Sequence, residues 1–275
     1  MRCGITNLAS CIPEKIYEFI INLLNAPIQP LLTFIESLLT DPVNLTPFIS
    51  LWAIMLYIIS LFYGLLMLYS GFNFMLSGHD VVKRTKAKEW FKNILIMVVL
   101  VQASYFLYEL VVDIGSLLSA GIIGLIDSHF FLITLDNLAN IGLQFFFTFF
   151  YVLTLLFTIL FLTFRYIIIA FGVVFIPIGI FFYFIPPLKN YGKLIINFLG
   201  TSIFLGFFIS VILLVSSKLL DIALFRNFKI LVMISAFSLA NLFMLYFMFF
   251  SAIKSALSTA GKTSASITSV IKYFG

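Results

Sequence analysis

The densest group of chemically active side chains is a basic run between two apolar stretches. Five of the sixteen Lys and Arg residues fall within ten positions: Lys83, Arg84, Lys86, Lys88 and Lys92. Clustered cations bind the phosphates of a nucleic acid with an affinity that falls steeply as salt rises, and Trp90 and Phe91 are residue types that stack on bases. The same charges between two membrane spans fix the orientation of a loop and hold anionic lipids. Both interpretations stay open on the residues alone.

Three further ionisable side chains lie in or beside apolar sequence: Glu109, Asp113 and Arg165. A cation at the bilayer centre costs about 2.5 to 3.5 kcal/mol on insertion scales. Arg165 therefore either snorkels at a junction between two helices or pairs with Glu109 or Asp113, which are one helical turn apart. The two acids in turn either mark an external helix end or line a polar passage.

Helix-weakening residues cluster in the segment "VFIPIGIFFYFIPP", which contains Pro177, Gly179, Pro186 and Pro187. Proline removes a backbone donor, so a kink or break here frees carbonyl groups that can line a cavity. Membrane helices also tolerate prolines for packing reasons alone. The segment predicts a helix break with one of these two roles.

Catalytic and metal-binding patterns are missing from the sequence. It contains no nucleotide-binding Gly-rich loop, no Ser/His/Asp set and no His/Cys cluster, so we expect no enzyme, no cofactor and no metal site. The two cysteines, Cys3 and Cys11, are close enough in sequence to form a disulfide if the N-terminal region is external and oxidised.

The elements that must position these residues are membrane helices. The chain is 63% hydrophobic and its mean hydropathy is +1.18, and its apolar runs reach the roughly 20 residues that cross a bilayer. We therefore predict an all-α polytopic protein with about six spans. They lie at about 48–76, 94–117, two helices within 141–188 that meet near Arg165, 194–217 and 230–252.

The organisation on either side of these spans has three parts. Residues 1–47 are predicted as an external region with two short amphipathic helices in the headgroup plane, interrupted by Pro27 and Pro30; a seventh span results if this region crosses. The membrane domain covers 48–252 and includes the basic hairpin 77–93, which the positive-inside rule places in the cytoplasm. Residues 253–275 form a Ser/Thr/Ala-rich tail. This topology leaves seven basic residues outside, among them Lys189 and Lys193.

Two segments resemble components of known machinery. The stretch "YGLLMLYSGFNFMLSGHDVVKRTKAKEWFKNILIMVVLVQASYFLYELVVDIGSLL" is similar to the helix, basic hairpin, helix unit of membrane subunits in type IV secretion and conjugation systems. The stretch "FRYIIIAFGVVFIPIGIFFYFIPPLKNYGKLIINFLG" resembles the Arg, apolar run, Pro-Ile-Gly, Pro-Pro pattern of the polytopic TrbL-like channel subunit. Size and composition point to its archaeal CedA branch. Together the two stretches cover roughly a third of the chain.

The resemblance implies a conduit subunit of a DNA transfer or DNA import apparatus in the plasma membrane. Its implied partners are DNA as substrate, a cytoplasmic secretion-type ATPase, small pilin-like two-span subunits and further copies of the chain, with membrane lipids around them. It also implies that the basic residues contact DNA or the ATPase. Two other classes remain open, a small-solute or ion transporter and a structural membrane scaffold.

Overall fold

The structure is a computed structural model that describes residues 8–77, 81–127, 130–133, 141–226 and 228–250. These residues form helices and short turns, with no strand among them. Six helices in this part of the chain are long and apolar enough to cross a membrane. The predicted all-α polytopic class is confirmed.

Helices account for most of the described residues. In chain order they are α1 (Leu8–Thr40), α2 (Ile49–Leu76), α3 (Val81–Gln102), α4 (Ser104–Ile123), α5 (Ile141–Phe184), α6 (Lys189–Leu219), α7 (Ala223–Arg226) and α8 (Lys229–Leu245). A 3-10 turn at Thr46–Phe48 leads into α2, another at Pro186–Leu188 separates α5 from α6, and a π-helical segment at Tyr246–Phe250 follows α8.

The N-terminal region differs from the two predicted surface helices. Helix α1 is continuous through Pro27 and Pro30, and Phe19–Thr40 qualifies as a membrane span. One face of α1 is buried, at Ile21, Leu24, Ile28, Ile35 and Leu39. The missing proline donors do not end the helix because its apolar face is fixed by packing, and membrane helices accommodate such positions.

Helix α5 corrects the prediction of two helices that meet near Arg165. It is a single helix of 44 residues, about 66 Å long at 1.5 Å per residue. The prediction was wrong because it took length alone to require a junction. Arginine is a good helix former. The guanidinium group of Arg165 is hydrogen-bonded without a break in the backbone of α5.

The basic segment and the second span are also divided differently. In the predicted hairpin 77–93, residues 81–93 are helical: α3 begins at Val81 and carries the cations and the apolar residues up to Gln102 on one helix. Ala103 interrupts the helix for one residue, although the bonds Ala103 N to Val99 O and Leu107 N to Ala103 O continue across it. The membrane-length helix is Ser104–Ile123, ten residues later than predicted.

The chain divides into two compact units. Unit 1 comprises 1–41, 116–164 and 205–245. In its core the Asn25 side chain binds the backbone of Ile133 through two hydrogen bonds of 3.0 Å, and the ring of Phe237 contacts Tyr151 and Phe131. Unit 2 comprises 42–115, 165–204 and 246–275. It contains every site residue predicted from the basic, acidic, Arg and Pro patterns.

Candidate functional site

Unit 2 is organised by an antiparallel hairpin of α2 and α3. The indole of Trp52 donates to Ser104 Oγ at 2.9 Å near one end of this hairpin, and Tyr69 meets Trp90 edge to face, 6.5 Å between ring centroids, near the other. Between these contacts Ile59 packs with Met97 and with Phe181 of α5. The hairpin thereby holds the basic N-terminal half of α3 in a fixed position.

Arg165 lies inside unit 2 and is bound by the backbone of α6. Its side chain is only 5% exposed. Nε donates to the carbonyl of Ser202 and Nη2 donates to the carbonyl of Ile203, both at 2.9 Å. The guanidinium group thus joins α5 to α6 by two bonds, because its planar fork matches two successive carbonyls. Of the two alternatives that the sequence left open for Arg165, snorkelling at a helix junction does not apply, because α5 has no junction at this residue.

Tyr108 makes the corresponding contact between α4 and α5. Its hydroxyl donates to the carbonyl of Ile169 at 2.8 Å in a buried position. Gly172 lies against this hydroxyl, and a Cβ atom there would overlap the tyrosine ring. Position 172 must be glycine for Tyr108 to reach its acceptor.

The two predicted intramembrane acids lie on α4, beside Tyr108. Glu109 is half-buried and accepts a hydrogen bond of 3.4 Å from Tyr105 on the same helix. Asp113 is exposed. The structure therefore places Glu109, Asp113 and Arg165 in the same unit, with the position of Arg165 set by backbone carbonyls of α6.

The four predicted helix-weakening residues fall into two pairs. Pro177 and Gly179 lie within α5, which continues to Phe184. Ile185 is extended, with φ −90° and ψ 114°, and Pro186 and Pro187 begin the 3-10 turn that precedes α6. The change of direction is thus located at the Pro-Pro pair, where neither residue has a backbone donor to extend the helix.

Gly192 is a packing residue that the sequence analysis missed. A Cβ atom there would overlap the backbone nitrogen of Tyr183 and lie 2.6 Å from the carbonyl oxygen of Gly179. A Cβ atom on Gly179 would meet the Ile195 side chain at 2.9 Å. Gly179 and Gly192, on either side of the Pro-Pro turn, let α5 and α6 approach closely. The Arg and Pro patterns in the sequence do not indicate such a contact.

The five cations of α3 separate into two groups. Arg84, Lys88 and Lys92 are exposed and follow one another at four-residue spacing, so they form a stripe along one face of the helix. We call these three residues the basic stripe. Lys83 and Lys86 are exposed as well, and they line a cleft between α2, α3 and the Pro-Pro turn. The sequence alone does not show this division, because it depends on which faces of α3 the neighbouring elements cover.

The cleft has a volume of about 790 Å³. The residues that line it are Leu66, Tyr69, Asn73 and Leu76 of α2, Ser77 directly after it, Lys83, Lys86, Ala87 and Trp90 of α3, and Ile185, Pro186 and Pro187. Because Lys83, Lys86 and the Pro-Pro turn share this cleft, the basic half of α3 and the start of α6 lie at one end of unit 2. Lys189 and Lys193 belong to that end, whereas the sequence-based topology put them on the opposite side of the membrane.

This arrangement predicts the labelling of single cysteines in a chain whose Cys3 and Cys11 are replaced by Ser. Thr85→Cys and Lys193→Cys are expected to resist an impermeant maleimide in intact cells and to react after permeabilisation, because seven cations mark this end as cytoplasmic. Asn44→Cys, at the other end of α2, is expected to react in intact cells. If only one of Thr85→Cys and Lys193→Cys reacted in intact cells, the placement of both residues on the same side of the membrane would be contradicted.

Two predictions fall on residues that the structure does not describe. Cys3 lies outside the described residues, and Cys11 lies in α1 at a position whose side chain is not described. The disulfide between them, and the tail 253–275, therefore stay as predictions from the sequence.

Comparisons with known proteins add no family to this description. No protein-family model matches the chain, no curated protein matches it, and no solved structure matches it. The resemblance to TrbL-like subunits thus rests on the two quoted segments alone.

Proposed function

We propose that the protein is a membrane subunit of a type IV secretion-like DNA transfer apparatus in the plasma membrane. The proposal combines the resemblance to TrbL-like subunits of the CedA branch with one geometric observation, the exposed basic stripe at an end of unit 2. Three cations on one helical face, held by the α2–α3 hairpin, form a fixed surface for phosphate groups or for an acidic face of a secretion-type ATPase.

The contribution of the stripe to transfer would be electrostatic. Lys and Arg side chains that neutralise phosphates release counterions, so binding is independent of sequence and sensitive to salt. No bond is made or broken in such a step, and the energy for transport comes from the ATPase partner.

The passage for DNA is proposed to lie between subunits. Helix α2 is buried at only Ile59 and Ser70, and its other faces are largely apolar and exposed, as at Leu61, Leu65 and Leu68. Such a helix is suited to contact with lipid, a further copy of the chain or a small pilin-like subunit. We therefore infer a homo-oligomer or mixed assembly around the conduit.

The experiment is a mating in which both cell lines carry Arg84→Gln, Lys88→Gln and Lys92→Gln. Transfer, scored as recovered recombinants, is expected to fall. In a binding assay of the purified protein with single-stranded DNA, the slope of log affinity against log salt is expected to decrease by about 2, from about 0.7 for each of three lost contacts.

The matched control keeps the charges while it changes the side chains, as Arg84→Lys, Lys88→Arg and Lys92→Arg. It is expected to transfer DNA normally and to keep the salt slope. Insertion of the glutamine variant is preserved by Lys83, Lys86, Lys189 and Lys193 at the same end, and its level is checked by immunoblot. Normal recombinant recovery by the glutamine variant at normal protein level would refute the role of the stripe in transfer.

A further inference from the structure

The lining of the cleft beside the basic stripe changes from cationic side chains at one end to mainly apolar side chains elsewhere. We call the end lined by Ser77, Lys83 and Lys86, where α2 ends and α3 begins, its mouth. Leu66 and Trp90 line its inner wall further along the two helices. None of the described residues that line it is acidic. From Ser77 to Leu66 the cleft follows α2 for about 16 Å at 1.5 Å per residue. It is thus cationic at one end, and the rest of its lining is mainly apolar, with Tyr69 and Asn73 as polar members.

The surroundings of the mouth are strongly apolar. Leu76, which lines the cleft, is 84% exposed, and Met75 and Val81 beside it are 77% and 81% exposed. A soluble anion or a nucleic-acid strand gains nothing from these side chains. A molecule with both an anionic group and a hydrocarbon chain covers them while its anionic group lies beside the two lysines.

The inner wall also contains a hydrogen-bond donor that lacks an acceptor. Trp90 Nε1 is buried and has no partner within the part of the chain that the structure describes. Tryptophan is enriched at the level of lipid headgroups, where its ring is apolar and its N–H is polar. Its position in the cleft therefore matches the boundary between the headgroup and the acyl region.

We propose that this cleft binds one anionic phospholipid. Lys83 and Lys86 hold the headgroup phosphate, and an acyl chain lies along Leu66, Leu76 and Ile185. The Pro-Pro turn forms part of the wall, so the lipid contacts the α2–α3 hairpin and the α5–α6 turn together. This assignment does not depend on the DNA-transfer function, because it concerns Lys83 and Lys86 in the cleft and not the basic stripe.

The test uses Trp90 as a reporter in a Trp52→Phe chain, where it is the remaining tryptophan of the two. The protein is reconstituted in phosphatidylcholine vesicles that contain a minor fraction of phosphatidylglycerol with brominated acyl chains. Bromine quenches indole fluorescence on contact. We expect stronger quenching by brominated phosphatidylglycerol than by brominated phosphatidylcholine at the same fraction.

Two double variants separate the cleft from the general charge of α3. Lys83→Gln with Lys86→Gln is expected to reduce the preference for phosphatidylglycerol about 30-fold, since each basic residue near anionic lipid contributes a factor of about five. Lys88→Gln with Lys92→Gln removes the same charge from the same helix outside the cleft and is expected to change the preference less than twofold. An equal loss in both variants would show diffuse attraction and overturn the site.

Competitors identify the source of the phosphate. Inorganic phosphate or glycerol phosphate that relieves the quenching would assign the cleft to a soluble anion, and a single-stranded oligonucleotide that relieves it would assign it to nucleic acid. Either result overturns the lipid assignment. If the Lys83/Lys86 variant does not fold, the preference is measured by native mass spectrometry on the unsubstituted protein. Equal retention of phosphatidylglycerol and phosphatidylcholine there refutes the proposal.

Discussion

Arg165→Ala is expected to lower the free energy of unfolding of the detergent-solubilised protein by about 3 kcal/mol or more. The substitution removes two hydrogen bonds from a charged donor to carbonyls of α6, and each such bond contributes about 1.5 to 3 kcal/mol. It also leaves a cavity where a 5%-exposed side chain was packed. The measurement is the unfolding transition followed by far-UV circular dichroism in a denaturing detergent series.

Two substitutions at the same position separate geometry from charge. Arg165→Lys keeps the cation but cannot place two donors in a planar fork, so most of the loss is expected to remain. Arg165→Met fills much of the volume but offers no hydrogen-bond donor. It is expected to recover part of the stability that the cavity costs, and none of the stability that the hydrogen bonds supply. Lys218→Ala, at an exposed position of α6, is the reference, with a change of less than about 0.5 kcal/mol. If Arg165→Ala were as stable as Lys218→Ala, a stabilising bond between Arg165 and α6 would be refuted.

Gly192→Ala is expected to destabilise the same protein by about 1 to 3 kcal/mol, the usual cost of overpacking a close contact. The added methyl group meets backbone atoms of Tyr183 and Gly179, and backbone cannot move aside as a flexible side chain can. The expected readout is a lower unfolding midpoint with helix content otherwise unchanged before the transition.

The control for this effect is Gly200→Ala on the same helix. Nothing lies within 4 Å of a Cβ atom built there, and alanine is favoured over glycine in a helix by about 1 kcal/mol. We expect Gly200→Ala to be neutral or slightly stabilising. If the two alanine variants shift the midpoint equally, helix propensity and not the α5–α6 contact controls both.

The features that the sequence predicted are those set by local composition. Apolar runs as long as 49–76 and 230–248 must be helical in lipid, since every backbone group needs a partner within its segment. Pro186 and Pro187 end α5 because they lack backbone donors. The basic density of 83–92 is likewise visible without a structure.

The features that the sequence analysis missed depend on which other part of the chain each residue contacts. Arg165 donates to two main-chain carbonyls of α6. Every residue type offers such a carbonyl, so the sequence does not indicate these acceptors. The continuity of α1 past Pro27 and Pro30 depends on packing of Ile28 and Ile35. The division of the cations into cleft and stripe depends on where the Pro-Pro turn lies. Each of these is a tertiary outcome that periodicity cannot supply.

The bond between Arg165 and α6 also has a consequence for biogenesis. During synthesis Arg165 leaves the ribosome 37 residues before Ser202. Until then its guanidinium group lacks those two acceptors, and a cation at the bilayer centre costs about 2.5 to 3.5 kcal/mol. The second half of α5 therefore gains its full stability in the membrane only when α6 arrives beside it. The two helices are expected to enter the lipid as a pair, with the Pro-Pro turn as their hinge.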